Sequence, residues 1–126
     1  METVGAVLTR VAPGEVEIEL PFSEDFTQQH GYVHAGIVTA IADSACGYAA
    51  LTLFPAGAEV LTVEYKVNFL APAHGTRLVA RGHVIRSGRT ISVCEGTVLA
   101  VSGDREVRVA AMLATMIRSN PHPGSR

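Results

Sequence analysis

Tryptophan is absent from this sequence, and aromatic residues of all kinds make up only 6% of it. Three tyrosines and four phenylalanines give little with which to build a stacking platform for nucleotide bases. Charge is scarce as well. Asp, Glu, Lys and Arg account for 17% of residues, and 10 basic against 12 acidic side chains leave a formal net charge of −2. That balance argues against binding nucleic acid, which rests on a cationic footprint. The two cysteines, Cys46 and Cys94, show no C-x-x-C or other metal-ligand spacing, so no zinc site is expected. Both lie in apolar stretches, where buried free thiols are common, although the sequence leaves a disulfide open. The start, Met1-Glu2-Thr3-Val4, lacks the basic residues and small-residue cleavage site of a signal peptide. A cytoplasmic location is the default expectation.

What is present is apolar. Hydrophobic residues form 48% of the 126, and the mean hydropathy is +0.27. The length suits one domain, expected over residues 1–118 with a loose polar tail at 119–126. The chain is greasier than a small soluble monomer needs to be. The excess predicts apolar surface buried against another subunit.

Hydrophobic periodicity orders the chain. Between Gly5 and Leu20, two short apolar runs are broken at Pro13-Gly14, and Val16, Ile18 and Leu20 alternate with Glu15, Glu17 and Glu19. This is the pattern of a strand with one wet face. Residues from Pro21 to Tyr32 are polar and irregular, a loop. From about Val33 to Phe54 the chain is Ala-rich and free of proline, and it reads as a helix apolar on nearly every side. A membrane span is the rival, since such spans need ~20 mostly apolar residues. Asp43 in mid-segment and the lack of a basic flank argue against it. Four strand-like runs follow, from Leu61 to Phe69, from Leu78 to Ile85, from Ile91 to Leu99 and from Val107 to Ile117. Short turns at Ser87-Gly88 and Ser102-Gly103-Asp104 predict antiparallel neighbours. The simplest architecture is α+β, with one long central helix wrapped by a curved antiparallel sheet.

Asp43 does not fit its surroundings. An unpaired carboxylate on an apolar helix would cost several kcal/mol in desolvation. It must find donors, face a wet cavity or titrate upward, unless it lies on one exposed stripe of the helix. Gly36 lies seven residues earlier on the same face, and His34-Ala35-Gly36 opens the helix. Helix N-termini present free N–H groups and positive potential, which can hold an oxygen that gains negative charge. Seven residues span ~10 Å along a helix, too far for Gly36 and Asp43 of one chain to meet at one reacting carbon. If both serve one site, the Asp comes from a second chain whose helix lies antiparallel.

The stretch from Gln28 through His30-Gly31-Tyr32-Val33-His34-Ala35-Gly36 to Asp43 resembles the hot-dog-fold acyl-CoA thioesterases of the phenylacetate-degradation type. The run from Leu61 to Pro72 is similar to the family's strand after the helix, and Ser87-Gly88-Arg89-Thr90 to its turn near the CoA phosphates. Two departures stand out. Ala35 replaces the first Gly of the signature, and Gln28 replaces a loop Asn. Thr62 aligns with a Ser or Thr on the following strand.

The resemblance implies a hot-dog fold and hydrolysis of an aryl- or medium-chain acyl-CoA to acid and CoA. No metal or cofactor is implied beyond the CoA of the substrate. Asp43 of a partner subunit would attack or activate water, and Ala35 and Gly36 would hold the thioester oxygen. Thr62 would orient the water, while Gln28 and His34 would contact the thioester region. Arg86, Ser87, Gly88, Arg89 and Thr90 would meet the CoA phosphates. Tyr48, Leu51 and Phe54 are candidates for the acyl pocket. A homodimer, paired again into a homotetramer, is the expected assembly. Two other readings stay open: a hydratase or dehydratase on acyl thioesters, and a non-catalytic acyl-CoA binding module.

Overall fold

The computed structural model describes residues 5–23 and 33–119. Two strands come first, β1 (Val7–Ala12) and β2 (Glu15–Pro21), followed by the helix α1 (Ala35–Leu51). Then come β3 (Glu59–Phe69), β4 (Arg77–Ser87), β5 (Ile91–Ser102) and β6 (Arg105–Ser119). The strands form one sheet in the order β1-β2-β4-β5-β6-β3, with every neighbouring pair antiparallel. The expected element order and antiparallel pairing are found. Ser119, expected to open the tail, is still in β6 and pairs with Glu59.

The helix touches every strand from β2 to β3. Five strands side by side span roughly 20 Å, about twice the width of a helix, so the sheet must curl around it. Two glycines set how closely it lies. Gly82 on β4 and Gly96 on β5 face each other across the strands. A Cβ at Gly82 would fall on the carbonyl oxygen of Ala45, and one at Gly96 would come within 3.0 Å of Cys46 Sγ. The helix rests directly on this glycine pair. Around it Ile18, Leu20, Ile41, Val98, Val109 and Met116 fill the core.

The helix is shorter than expected at both ends. Val33 donates its N–H to Ala73 O at 2.9 Å, and His34 is extended at φ −58 and ψ 140, so regular helix begins only at Ala35. After Leu51 the backbone tightens into turns, with Leu53 N–H bonded to Ala50 O and Phe54 N–H to Leu51 O, before Pro55. The helix is also not covered all round within one chain. Gly36, Ala40 and Tyr48 are exposed, and Asp43 and Ser44 are half-buried. The curled sheet reaches only part of the circumference. No helix among the described residues is long and apolar enough to cross a membrane.

Candidate functional site

Asp43 lies halfway along α1, half-buried, on the side that faces β3. On that side Gly47 packs toward Val60, where an added Cβ would stand 3.9 Å from Val60 Cγ1. Two residues further along β3, Thr62 Oγ1 donates a 2.8 Å hydrogen bond to Asp43 Oδ1. The same oxygen lies 3.3 Å from Met116 Sδ, but its one proton goes to the carboxylate, the stronger acceptor. A bulge between Thr62 and Glu64 interrupts the register just past this contact. Bulges re-aim side chains next to functional positions. The Asp43 carboxylate thus has one donor, and among the described residues no second one reaches it. Thr62, expected to orient water, is engaged with the carboxylate itself.

The helix start presents the second component. His34 N-caps α1 without a side-chain hydrogen bond, and it is exposed. The first amides bonded back into the helix are those of Ile37 and Val38, both to His34 O. The N–H groups of Ala35 and Gly36 precede them and belong to the unsatisfied first turn. Ala35 and Gly36 are exposed, and nothing lies within 4 Å of the position of a Cβ on Gly36. Seven residues turn a helix to within about 20° of its starting azimuth, so Gly36 and Asp43 share one side, ~10 Å apart along the axis. Ala40 and Gly47 complete this small-residue side. The spacing of positions 36, 40, 43 and 47 was visible in the sequence, but only the placement of β3 shows that it faces the sheet edge.

A third group sits on the β4–β5 hairpin. Arg86 and Ser87 end β4, and Gly88, Arg89 and Thr90 make the turn. Gly88 donates to Ile91 O at 2.9 Å, and a Cβ there would stand 2.7 Å from that oxygen, so the turn needs glycine. Both arginines are exposed, and neither pairs with a carboxylate among the described residues. Ser92, Met116 and Thr62 are in register across β5, β6 and β3. The hairpin therefore stands at the same end of the sheet as Thr62, two strands or ~10 Å away.

An apolar groove of about 440 Å³ runs beside the helix start, lined by Val33, Ala35, Val38, Val109 and the segment from Phe69 to Ala73. No local pattern in the sequence announces this groove. The residues proposed for an acyl pocket lie elsewhere. Tyr48 and Leu51 line a smaller groove of about 240 Å³ with Leu8, Val11 and Val16, near the β1 edge. Tyr48 is turned about 140° around the helix from Asp43. Phe54 packs against the core instead.

Gln28 lies outside the described residues. Cys46 and Cys94 are free and buried. Burial pushes the Cys46 thiol up to about 12, helped by the charges of Cys94, Asp43 and Glu95, and the Cys94 thiol up to about 11. Neither is a nucleophile at neutral pH. Among the described residues no cluster of three His, Cys, Asp or Glu side chains is placed to hold a metal ion.

Comparison with known proteins places this arrangement among relatives. A family profile described as Thioesterase superfamily matches residues 30–107, which include α1, Asp43 and Thr62. A thioesterase family protein from Silicibacter pomeroyi superposes with a TM-score of 0.94 at 46% identity, covering 96% of this chain and 89% of that one. A Saccharolobus solfataricus protein provisionally named an esterase is 39% identical over 82 residues, 65% of this chain and 58% of that protein. Human acyl-coenzyme A thioesterase 13 is 29% identical over 86 residues, 68% of this chain and 61% of the human protein. The chain thus spans about three fifths of these two relatives.

Proposed function

The chain belongs to the thioesterase superfamily and has its hot-dog fold, and from that premise we propose that it hydrolyses acyl-CoA thioesters at a site shared by two copies. The observation that carries the reading is the Asp43 carboxylate, held by Thr62 on a helix side that opens toward a free sheet edge. That edge is β3, where Leu61 and Val63 are each 58% exposed. Long apolar edge strands seek a partner. Antiparallel pairing of β3 with its copy would bring the two helices alongside through the exposed Gly36 and Ala40. Asp43 of one chain would then lie near the helix start of the other, which overcomes the ~10 Å between them within one helix.

In that site the thioester carbonyl oxygen would accept hydrogen bonds from the N–H groups of Ala35 and Gly36, stabilised by the helix dipole as charge develops. Two roles for Asp43 fit the geometry. As nucleophile it would attack the carbonyl carbon, expel the CoA thiolate and form a mixed anhydride that water opens to the acid. As general base it would take a proton from the attacking water and pass it to the leaving sulfur. In either role Thr62 fixes the rotamer of the carboxylate. His34 stands at the entry to the helix start, and the resemblance places Gln28 near the thioester.

Arg86 and Arg89 would meet the CoA phosphates, with Ser87, Gly88 and Thr90 forming the turn. The ~10 Å between hairpin and Thr62 row is shorter than the extended arm that joins those phosphates to the thioester. The groove beside Ala35 would take an aryl or medium-chain acyl group. Two such dimers would pair again into a homotetramer.

A panel of phenylacetyl-, hydroxybenzoyl- and medium-chain acyl-CoAs, incubated with the protein and a thiol reagent, tests the reading. Release of free CoA is expected. Binding of the esters without release would overturn it in favour of a carrier, and hydration of an enoyl-CoA without release in favour of a hydratase.

A further inference from the structure

The groove beside the helix start is apolar from rim to floor. Its floor is Val33, Val38, Ala73 and Val109, each 5% exposed or less. Its rim is Phe69 and Leu70, which stay 51% and 52% exposed. Phe69 pairs with the buried Ala110 on β6, so its ring lies on the helix side of the sheet, with the floor. Asn68, one residue back, alternates to the other face. Among the described residues no polar side chain lines the groove. The backbone adds few free donors. Val33 N–H is bonded to Ala73 O at 2.9 Å and Leu70 N–H to Val109 O at 2.8 Å, and Pro72 has no N–H to give. The groove also begins at a group that the proposed reaction uses. Ala35 carries the N–H assigned to the thioester oxygen, and the same residue forms part of the groove wall. An acyl group held at that N–H therefore leaves the reacting carbon directly into the groove. Val38 lies three residues further on, ~4.5 Å along the helix axis, so the far end of the acyl group reaches the buried floor.

We propose that this groove selects acyl groups that are apolar to their far end and rejects those that end in a hydroxyl or a carboxylate, with Val38 and Val109 setting the preference. This selection rests on the thioesterase reading and narrows the substrate class within it. Its cause is desolvation. A hydroxyl carried to the floor gives up water and meets no side-chain partner among the described residues. A carboxylate loses more, because an ionised group is costly to strip of water without a counter-charge. A methyl end or an unsubstituted ring gives up nothing polar and gains apolar burial. The exposed Phe69 and Leu70 would close over such a group at the rim. An apolar pocket rejects an isostere that adds one hydroxyl by about 10²-fold, which sets the scale of the preference.

Values of kcat/KM for two matched pairs of esters, measured on the full chain, test the selection. The first pair is phenylacetyl-CoA and 4-hydroxyphenylacetyl-CoA. The second is hexanoyl-CoA and adipyl-CoA, which carries a carboxylate at its far end. The apolar member should lead by roughly 10²-fold in the first pair and by about 10³-fold or more in the second. Val109→Thr keeps the branched shape and places a hydroxyl on the floor. It should narrow the first ratio by about fivefold, the worth of one hydrogen bond. Val38→Thr repeats the test from the helix side. Each ratio compares two esters on one protein, so a general loss of packing leaves it unmoved and a new partner for the hydroxyl shifts it. Equal kcat/KM within both pairs would overturn the selection and leave hydrolysis standing. A ratio that neither variant moves would overturn the assignment to Val38 and Val109. Release of CoA from none of the four esters would overturn the hydrolysis reading, and the selection with it.

Discussion

The glycine pair beneath the helix gives the sharpest mechanical prediction. At Gly82 a methyl group would fall on the Ala45 carbonyl and lie 2.7 Å from the Cys46 amide nitrogen, both backbone atoms of the helix. No rotamer change relieves that overlap, so the helix must lift from the sheet. Overpacking of cores costs ~1–3 kcal/mol and more where the backbone must move, against a gain of only ~0.5–1 kcal/mol from restricting the unfolded chain. Gly82→Ala should therefore lose about 3 kcal/mol, roughly 10 °C in Tm for a domain of this size. At Gly96 the added methyl would meet Cys46 Sγ at 3.0 Å, with Ala42 O and Met112 Cβ at an ordinary 3.5 Å. The loss there should be about 1 kcal/mol, because a side-chain atom can yield. Urea unfolding at fixed protein concentration measures both. Cys46→Ala should relieve Gly96→Ala and leave Gly82→Ala unrelieved, a coupling that a double-mutant cycle reads directly. Since Ala45 is two residues past Asp43, Gly82→Ala should also disturb the Thr62 hydrogen bond and depress hydrolysis more than Gly96→Ala does. Equal losses in the two variants, or a Gly82→Ala protein within 0.5 kcal/mol of wild type by the same unfolding measurement, would refute the account of helix seating.

Other outcomes follow from the site and the core. Thr62→Val keeps the shape of the side chain and removes its hydroxyl. With the pair accessible to solvent, the lost bond is worth about 1 kcal/mol, or about a fivefold drop in kcat in a folded protein. Arg89→Glu should raise KM for acyl-CoA by roughly tenfold with little change in kcat, as removal of uniform binding does, and an unchanged KM would detach the hairpin from the substrate. The buried thiols make stability depend on alkaline pH. Their folded values, about 12 for Cys46 and about 11 for Cys94, stand above the ordinary 9.0, so the unfolded chain gives up these protons first. Their contribution is complete below pH 9 and is lost as pH rises toward 11–12. Each free thiol adds a slope of up to about 1.4 kcal/mol per pH unit. Cys46→Ala should flatten that alkaline decline in urea midpoints, and an unchanged slope would contradict the assignment.

Most of the fold was legible because its signals are local. Alternation of Val16, Ile18 and Leu20 with glutamates, the Ala-rich run around Asp43 and the late strands each report on their own element. The strand order was not legible. No local pattern says that β3 crosses to the far edge beside β6, and that placement is what brings Thr62 to Asp43 and leaves an edge open. The apolar helix misled in one respect. Its wide apolar coverage suggested cover on every side, whereas the curled sheet leaves the side of Ala40 and Tyr48 bare in a single chain. Asp43 was readable from its cost, and its partner Thr62 from the resemblance alone. The acyl-pocket candidates Tyr48 and Leu51 line a groove near the β1 edge and not the one beside the helix start, and Tyr48 is turned about 140° around the helix from Asp43. Beyond the core, the apolar excess leaves large side chains exposed at Tyr48 on the helix, at Val7, Leu8 and Val11 on β1, and at Leu61 and Val63 on β3.

Steady-state hydrolysis of a preferred acyl-CoA by Asp43→Asn tests the central claim most directly. Asparagine keeps the size of the side chain and can still accept the Thr62 hydrogen bond, so the assembled mass and urea midpoint should match wild type. The variant can neither attack as a carboxylate nor take a proton, and kcat should fall by roughly 10²–10⁴-fold. A folded, fully assembled Asp43→Asn protein that turns over within tenfold of wild type would contradict it.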